Sequence, residues 1–219
     1  MAQAADYIAS DWTAADLVER FGAIPLHRIR FDPPPGEATE DDVLRIHDRS
    51  DRLCELVDGV LVEKTVGIYE SYLAVLLTRL LGNHIEQNQM GIVLGADGMA
   101  RLSPGLVRIP DACFISWERL PDRRVPQTPM LGFAPDLAAE VISPSNTRKE
   151  MARKLEDYFK SGVRLVWYFY PKTRECHAFQ SSQDCVILRE DDTLSGGDVV
   201  PGFSLRLRDF FAQPERPKT

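Results

Sequence analysis

Residues Pro135–Gly162, PDLAAEVISPSNTRKEMARKLEDYFKSG, decide the fold because they predict a buried strand followed at once by an amphipathic helix. Leu137–Ile142 is a short apolar run of the kind that forms a buried strand. Glu140 lies in the middle of this run, where a lone carboxylate destabilises the fold unless a partner compensates its charge. We therefore expect the rest of the chain to supply partners for Glu140.

The segment after this strand has the signals of a helix that begins after Thr147 and ends near Gly162. Ser143–Asn146 breaks the strand, and Thr147 and Glu150 have the spacing of a capping box. Lys154 lies at the edge of the apolar stripe of this helix, so we expect its amine to reach back towards the sheet. The stripe itself consists of Met151, Leu155, Tyr158 and Phe159.

Two hairpins are predicted on either side of this strand and helix. Asp58-Gly59 is a preferred two-residue type I′ turn, and it joins strands predicted at Leu53–Val57 and Val60–Glu63. A second hairpin pairs Arg164–Tyr170 with Glu175–Phe179.

A second acid, Asp111, interrupts another predicted strand. We predict one strand over Val107–Ile115, with Asp111 on its apolar face by strict alternation, although Pro110 indicates a strand end or a bulge. On adjacent strands, Asp111 and Glu140 could bind one Mg²⁺ ion, which usually takes one or two carboxylates. Such an ion would polarise a phosphodiester, and a nearby lysine could position water.

The same residues allow a purely structural interpretation. Asp111 would then cap a loop after Pro110, and Glu140 would form a buried ion pair with Lys154 or an arginine. A serine hydrolase is disfavoured, because the sequence has no GxSxG motif and no histidine clearly placed to activate Ser143 or Ser145. Neither a Walker loop nor a GxGxxG motif is present.

Composition and charge narrow the class of protein. The 219 residues, 44% of them hydrophobic, suit one large soluble domain. No apolar run is long enough to predict a transmembrane helix, and the first residues lack the layout of a secretory signal, so we expect a cytoplasmic protein. The net charge of −7 disfavours a surface that binds nucleic acid throughout, but a local basic cluster includes Arg148, Lys149 and Arg153.

Several short segments form a specific ordered set, although each alone would be weak. They are Glu55–Gly59 (ELVDG), Arg108–Asp111 (RIPD), Ala139–Ser145 (AEVISPS), Arg153–Leu155 (RKL) with Tyr158, and Gly162-Val163 followed by Val166-Trp167. The set resembles the Uma family of restriction endonucleases, within the PD-(D/E)xK nuclease superfamily. The resemblance covers roughly residues 50–205.

The resemblance implies a restriction-endonuclease-like α/β core, in which a central mixed β-sheet is flanked by helices. It implies that Asp111 and Glu140 are the metal-binding acids. The superfamily often has a lysine two positions after the second acid, where this chain has Ile142. The resemblance implies that Lys154 on the next helix replaces it, and Glu150 occupies a place where family members often carry an aspartate.

The helix predicted over Tyr69–Gln87 departs from the family pattern. Many members have a histidine near its start, where this chain has Glu70. The superfamily often has a glutamate in this helix, so Glu70 is a candidate third acid for catalysis and metal binding, and Glu55 is a weaker one. The alternative for Glu70 is a first-turn carboxylate that complements the helix dipole.

Together, these features predict a DNA endonuclease that depends on Mg²⁺, with Mn²⁺ as a substitute. Its catalytic residues would be Asp111, Glu140, Lys154 and Glu70, and the basic cluster would contact phosphates. We divide the chain into an extension packing on the core (1–50), the nuclease-like domain (51–212) and a tail (213–219). The alternative is a catalytically silent module of the same fold that binds nucleic acid or protein. We leave a homodimer open.

Overall fold

The computed structural model describes residues 12–50, 52–65 and 67–212, which form five α-helices and three β-sheets. The α-helices are α1 (Ala14–Phe21), α2 (Glu40–Ser50), α3 (Ile68–Gln87), α4 (Arg148–Lys160) and α5 (Leu207–Phe211). Two short 3₁₀ helices span Leu26–Arg28 and Pro121–Arg123. The strands are β1 (Cys54–Val57), β2 (Val60–Glu63), β3 (Gly91–Leu94), β4 (Ala100–Ser103), β5 (Leu106–Arg108), β6 (Ala112–Ser116), β7 (Leu137–Val141), β8 (Leu165–Tyr170), β9 (Glu175–Phe179), β10 (Cys185–Leu188), β11 (Thr193–Ser195) and β12 (Ser204–Arg206).

The largest sheet has the strand order β10-β9-β8-β7-β6-β3. Strands β7 and β8 are parallel, and every other neighbouring pair in this sheet is antiparallel. Helix α4 makes the crossover that a parallel pair requires. The fold is therefore α/β with a central mixed sheet flanked by helices, which confirms the predicted class.

Strand β7 is buried on both faces, because helices pack on each side of the large sheet. Leu137 and Ala139 belong to the apolar core beneath α3 and α5. Ala138 belongs to the opposite core, which includes Met151 and Leu155 from α4. Glu140 lies two residues after Ala138 on the same face of β7, so its carboxylate is enclosed on the α4 side.

A smaller sheet, ordered β2-β1-β5-β4, stands beside the large one. The predicted hairpin forms its edge, and Asp58 and Gly59 both have positive φ (51° and 70°), as a type I′ turn requires. Leu17 and Phe21 of α1 pack with Val57 of this hairpin. Part of the chain before residue 51 thus forms a common core with the small sheet.

The prediction of one strand over Val107–Ile115 is wrong. The chain breaks at Ile109–Asp111 into β5, in the small sheet, and β6, in the large sheet. Pro110 lacks an amide hydrogen and cannot continue a ladder, so the strand ends there. The break carries the chain from one sheet to the other, and it places Asp111 at the junction.

Helix α4 begins as predicted. The Thr147 hydroxyl accepts a hydrogen bond from the Glu150 amide (3.0 Å), and the Glu150 carboxylate accepts one from the Thr147 amide (3.2 Å). These reciprocal bonds satisfy two amides at the helix start. Within the described ranges, no helix is long and apolar enough to cross a bilayer.

Candidate active site

Asp111, directly before β6, lies beside Glu140 of the neighbouring strand β7, and each residue is only 5% exposed. The Asp111 amide donates to the Ala139 carbonyl (2.9 Å), and Asp111 Oδ2 accepts a hydrogen bond from the Val141 amide (2.7 Å). These two bonds fix Asp111 against β7 on either side of Glu140. The strand break at Pro110 is thus what brings the two acids together.

Lys154 reaches from α4 into this pair, as predicted from its place on the helix. Its Nζ atom lies 2.7 Å from Glu140 Oε1 and 2.8 Å from Glu55 Oε1. Burial alone would lower the pKa of Lys154, but the charges of Glu140 and Glu55 overcome this effect and hold the pKa above its ordinary value. Lys154 therefore remains an ammonium ion at neutral pH.

Glu55 anchors the other side of Lys154 in a closed network. Its Oε1 accepts a hydrogen bond from the Ile109 amide (2.9 Å), and its Oε2 accepts one from Arg108 (2.8 Å). Arg108 also contacts Asp157 at 2.5 Å. Burial opposes ionisation of Glu55, but Lys154 and Arg108 outweigh it and hold the pKa of Glu55 far below its ordinary value.

Glu140 is less well compensated. Its Oε1 accepts a short hydrogen bond from the Tyr158 hydroxyl (2.5 Å) and faces Lys154, whereas Oε2 accepts no hydrogen bond within the described part of the chain. Burial, supported by the negative charge of Asp111, raises the pKa of Glu140 to about 7 despite Lys154. The direction of this shift could not be settled from the sequence, where burial and Lys154 oppose each other.

Lys64 is a second lysine of the site, and it is not among the residues predicted from the sequence. Its Nζ atom lies 2.8 Å from Asp111 Oδ1 and donates hydrogen bonds to the carbonyls of Ala96 (3.1 Å) and Ile109 (2.8 Å). All three ammonium hydrogens thus have an acceptor. Its only sequence signal was its place directly after the first hairpin, beside Glu63.

Arg28, also missed, comes from the N-terminal region. It forms a two-pronged ion pair with Glu150 (2.7 and 3.0 Å) and donates hydrogen bonds to the carbonyls of Glu63 and Ser145 (both 3.0 Å). Glu150, noted for its family position, is thus held by Arg28 as well as by the helix cap. Arg28 thereby ties the loop before α4 to the end of the first hairpin.

These side chains enclose a cavity of about 20 Å³, which is room for about one water molecule or ion. Five carboxylates and three cationic groups line it, a formal excess of two negative charges when all are ionised. The carboxylates are Glu55, Glu70, Asp111, Glu140 and Glu150, and the cations are Arg28, Lys64 and Lys154.

Glu70 shares this cavity as a half-buried residue in the first turn of α3. Across residues 12–50, 52–65 and 67–212, no group of three or more His, Cys, Asp or Glu side chains is arranged to hold a metal ion. Two protein carboxylates are enough for Mg²⁺, which keeps several waters. Metal binding by Asp111, Glu140 and Glu70 stays a prediction.

The three predicted phosphate contacts differ in their surroundings. Arg148 and Lys149 are exposed in the first turn of α4. Arg153 is instead engaged within the protein, because its guanidinium lies 2.7 Å from a carboxylate oxygen of Asp58. Arg148 and Lys149 are thus the members of the basic cluster that a polyanion reaches first.

Comparison with solved structures identifies the class of fold. The crystal structure of a putative nuclease belonging to DUF820 from Anabaena variabilis ATCC 29413 superimposes with a TM-score of 0.68. The match covers 79% of this chain and 97% of that one, at 15% sequence identity. The chain therefore has the fold of that nuclease-class protein.

The sequence match is more specific. The family model Uma2, described as a putative restriction endonuclease, matches residues 40–208. The chain belongs to this family, which confirms the resemblance drawn from its short segments. A search of curated proteins gave no match.

Proposed function

We propose that this protein is a metal-dependent DNA endonuclease whose active site is the cavity between β7 and α4. The observation that carries the proposal is the convergence of Asp111, Glu140 and Lys154, which lie far apart in sequence, in one buried cavity. Membership of the Uma2 family and the nuclease fold support the reaction class. DNA as substrate follows from the family description.

The donors in the cavity suit a hard divalent cation. Asp111 and Glu140 offer carboxylate oxygens, the ligands that Mg²⁺ prefers, and Glu140 Oε2 accepts no hydrogen bond from the described residues. Asp111 and Glu140 would hold the metal, and Glu70 lines the same cavity. When bound, the metal would polarise the phosphodiester and increase the acidity of a water molecule.

Lys154 has a defined part in this proposal. Because its pKa is held high, it cannot serve as the general base, and it acts instead as a fixed positive charge. From its place beside Glu140 it donates a hydrogen bond to the attacking water or to a phosphoryl oxygen as negative charge builds there. Glu55 positions it from the opposite side, at 2.8 Å.

Arg148 and Lys149 would hold the DNA backbone at the start of α4. Contacts of this kind give affinity without sequence choice and weaken as salt rises. Arg153 joins them only if a phosphate displaces Asp58 from its guanidinium. The three residues therefore position the strand and take no part in the chemistry.

Nicking of supercoiled plasmid in Mg²⁺ or Mn²⁺ tests the proposal. Asp111→Asn, Glu140→Gln and Lys154→Ala should each lower the rate by at least about 100-fold, the usual effect of removing a group that stabilises developing charge. The matched controls Glu156→Gln and Lys160→Ala change two residues that are exposed on the same helix and pair with each other. They should cut at the wild-type rate, and equal rates for Lys154→Ala and Lys160→Ala would remove lysine from the mechanism.

A catalytically silent module is the second candidate, and one observation favours it. Both acids already contact a lysine ammonium group, Asp111 with Lys64 and Glu140 with Lys154, so the site has internal counter-ions. A silent module would bind DNA or protein with no response to Mg²⁺. Plasmid that stays intact in both metals, together with DNA binding that Asp111→Asn leaves unchanged, would favour this candidate.

A further inference from the structure

A second cavity, next to the proposed active site, has no part in the chemistry above. It is a groove of about 600 Å³ between α4 and the β8–β9 hairpin, within the usual size range of ligand sites. Ile142, Met151 and Leu155 supply apolar walls. We call it the aromatic groove, because its floor consists of the rings of Tyr168, Tyr170, His177 and Phe179.

The sheet register makes this floor continuous. Tyr168 pairs with His177 across β8 and β9, so alternate residues Tyr170 and Phe179 share their face. The Tyr170 and His177 ring centroids lie 4.4 Å apart, those of Tyr168 and Phe179 5.3 Å, and those of His177 and Phe179 6.3 Å. Four rings therefore form one band across two strands.

Helix α4 covers only one end of this band. Tyr168 is buried, and its hydroxyl donates a hydrogen bond to the Met151 carbonyl (3.0 Å). Tyr170, His177 and Phe179 are only half-buried, so part of each ring is open to the groove. Burial also lowers the pKa of His177, which leaves this ring uncharged at neutral pH.

The groove adjoins the active-site cavity at one shared residue. Asn146, in the loop between β7 and α4, lines both. Arg148, exposed at the start of α4, lines the groove beside it. A strand with one phosphate at Glu140 and Lys154 would thus run past Asn146 and Arg148, with its next nucleotides over the aromatic band.

We propose that the aromatic groove is a stacking subsite for unpaired nucleobases next to the phosphate held at the active site. The inference rests on the proposed nuclease function, since the active site fixes where the strand enters. Base-to-ring stacking suits every base, because each has a flat π-face, and Arg148 supplies a charge for the adjoining phosphate. The subsite predicts a preference for single-stranded or locally opened DNA, because paired bases cannot reach the rings.

Binding of labelled DNA in EDTA, followed by fluorescence anisotropy, tests the subsite without cutting. The probes are a short single strand, the same strand with consecutive abasic positions, and the matching duplex. Wild-type protein should bind the ordinary strand at least about fivefold more tightly than the abasic one, because only the ordinary strand can stack. This comparison needs no variant, so it stands even if a substitution prevents folding.

Variants then locate the stacking. Tyr170→Leu and His177→Leu should weaken binding of the ordinary strand by at least about fivefold and change abasic and duplex binding by less than about twofold. Tyr170→Phe keeps a ring and should bind like wild type. The matched control Tyr72→Leu removes a partly exposed ring on α3, outside the groove, and should change nothing.

Three results would overturn the subsite. Wild-type protein could bind ordinary and abasic strands equally, or the leucine variants could weaken both equally. The variants could also change the sedimentation of the protein while leaving strand binding intact, which would make the groove a contact between copies. Plasmid cutting is measured on the same preparation. Stacking without cutting would contradict only the nuclease function. Cutting without stacking would contradict only the subsite.

Discussion

The two glutamates on either side of Lys154 share a partner yet have opposite electrostatic states. Glu55 and Glu140 lie 2.8 and 2.7 Å from the same ammonium group, and both are buried. Glu55 also has Arg108 and a backbone amide, and its pKa is lowered. Among the described residues, Glu140 has only Tyr158 as a further partner, stands near Asp111, and its pKa is raised to about 7.

This difference suggests that the two glutamates of one cluster have different roles, Glu55 a structural one and Glu140 a functional one. At Glu55, every oxygen has a hydrogen-bonded or charged partner inside the protein, so adding a ligand would gain nothing there. At Glu140, negative charge exceeds what the neighbouring groups compensate, and the cavity has room for one ion. An uncompensated buried carboxylate is a usual mark of a functional site. This contrast supports the proposal that the Glu140 side binds the metal and that Glu55 positions Lys154.

Removing each glutamate charge gives the largest expected contrast. Glu55→Gln leaves buried Arg108 short of a partner and should cost about 3–5 kcal/mol of unfolding free energy. Glu140→Gln removes a carboxylate that is costly to ionise, so in EDTA at pH 8 it should be neutral or stabilise by up to about 3 kcal/mol. Urea denaturation measures both. Equal destabilisation by the two variants would mean that Glu55 and Glu140 are equally well compensated.

The pH dependence of stability isolates Glu140. Its pKa rises from 4.5 in the unfolded chain to about 7 in the fold, so the folded state keeps a proton that the unfolded state has lost. Stability without metal should therefore fall as pH rises from about 4.5 to 7, by on the order of 3 kcal/mol. Glu55, with its lowered pKa, acts in the opposite direction and only as pH falls below 4.5.

The difference between two denaturation profiles measures the contribution of Glu140 to the pH dependence of stability. Wild type minus Glu140→Gln, followed from pH 5 to 8 in EDTA, removes contributions that the two proteins share, including that of His177. We expect the difference to change through the window given above. A flat difference would mean that Glu140 is as well compensated as Glu55.

The smallest expected effect concerns Tyr158, the neutral donor to Glu140. Tyr158→Phe removes the hydroxyl bonded to Oε1, so the pKa of Glu140 should rise further and stability should fall by about 1 kcal/mol. The control Tyr168→Phe removes a bond to the Met151 carbonyl instead. It should cost similar stability and leave the Glu140 titration, followed by carbon NMR, unmoved. A shift of that titration in the control alone would contradict the assignment.

Local chemistry made part of this molecule predictable from sequence. The Asp58-Gly59 turn, the Thr147 cap and the apolar stripe of α4 depend on residues within one or two helical turns. The position of Lys154 at the edge of that stripe predicted that its amine reaches back towards the sheet, where it contacts Glu140. The fold class came from the family resemblance, and the structure confirms it.

Pairings between residues far apart in the chain could not be predicted from the sequence. Arg28 and Glu150 are 122 positions apart, and no local pattern links them. Lys64 looked like the end of a hairpin until the strand break at Pro110 brought Asp111 to it. The break itself was misjudged because alternation over Val107–Ile115 suggested one strand, whereas the missing amide of Pro110 decided between the two sheets.

Calorimetric titration with Mg²⁺ at pH 7, in two buffers of different ionisation enthalpy, tests most directly whether the Glu140 side binds a cation. Since the pKa of Glu140 is about 7, we predict one ion bound with release of about half a proton. Glu140→Gln and Asp111→Asn should lose the binding, and Glu156→Gln should keep it. Two results would contradict the proposal that the metal binds on this side of Lys154. The first is that the wild-type protein binds no Mg²⁺. The second is that Mg²⁺ binds without releasing protons and still binds to Glu140→Gln.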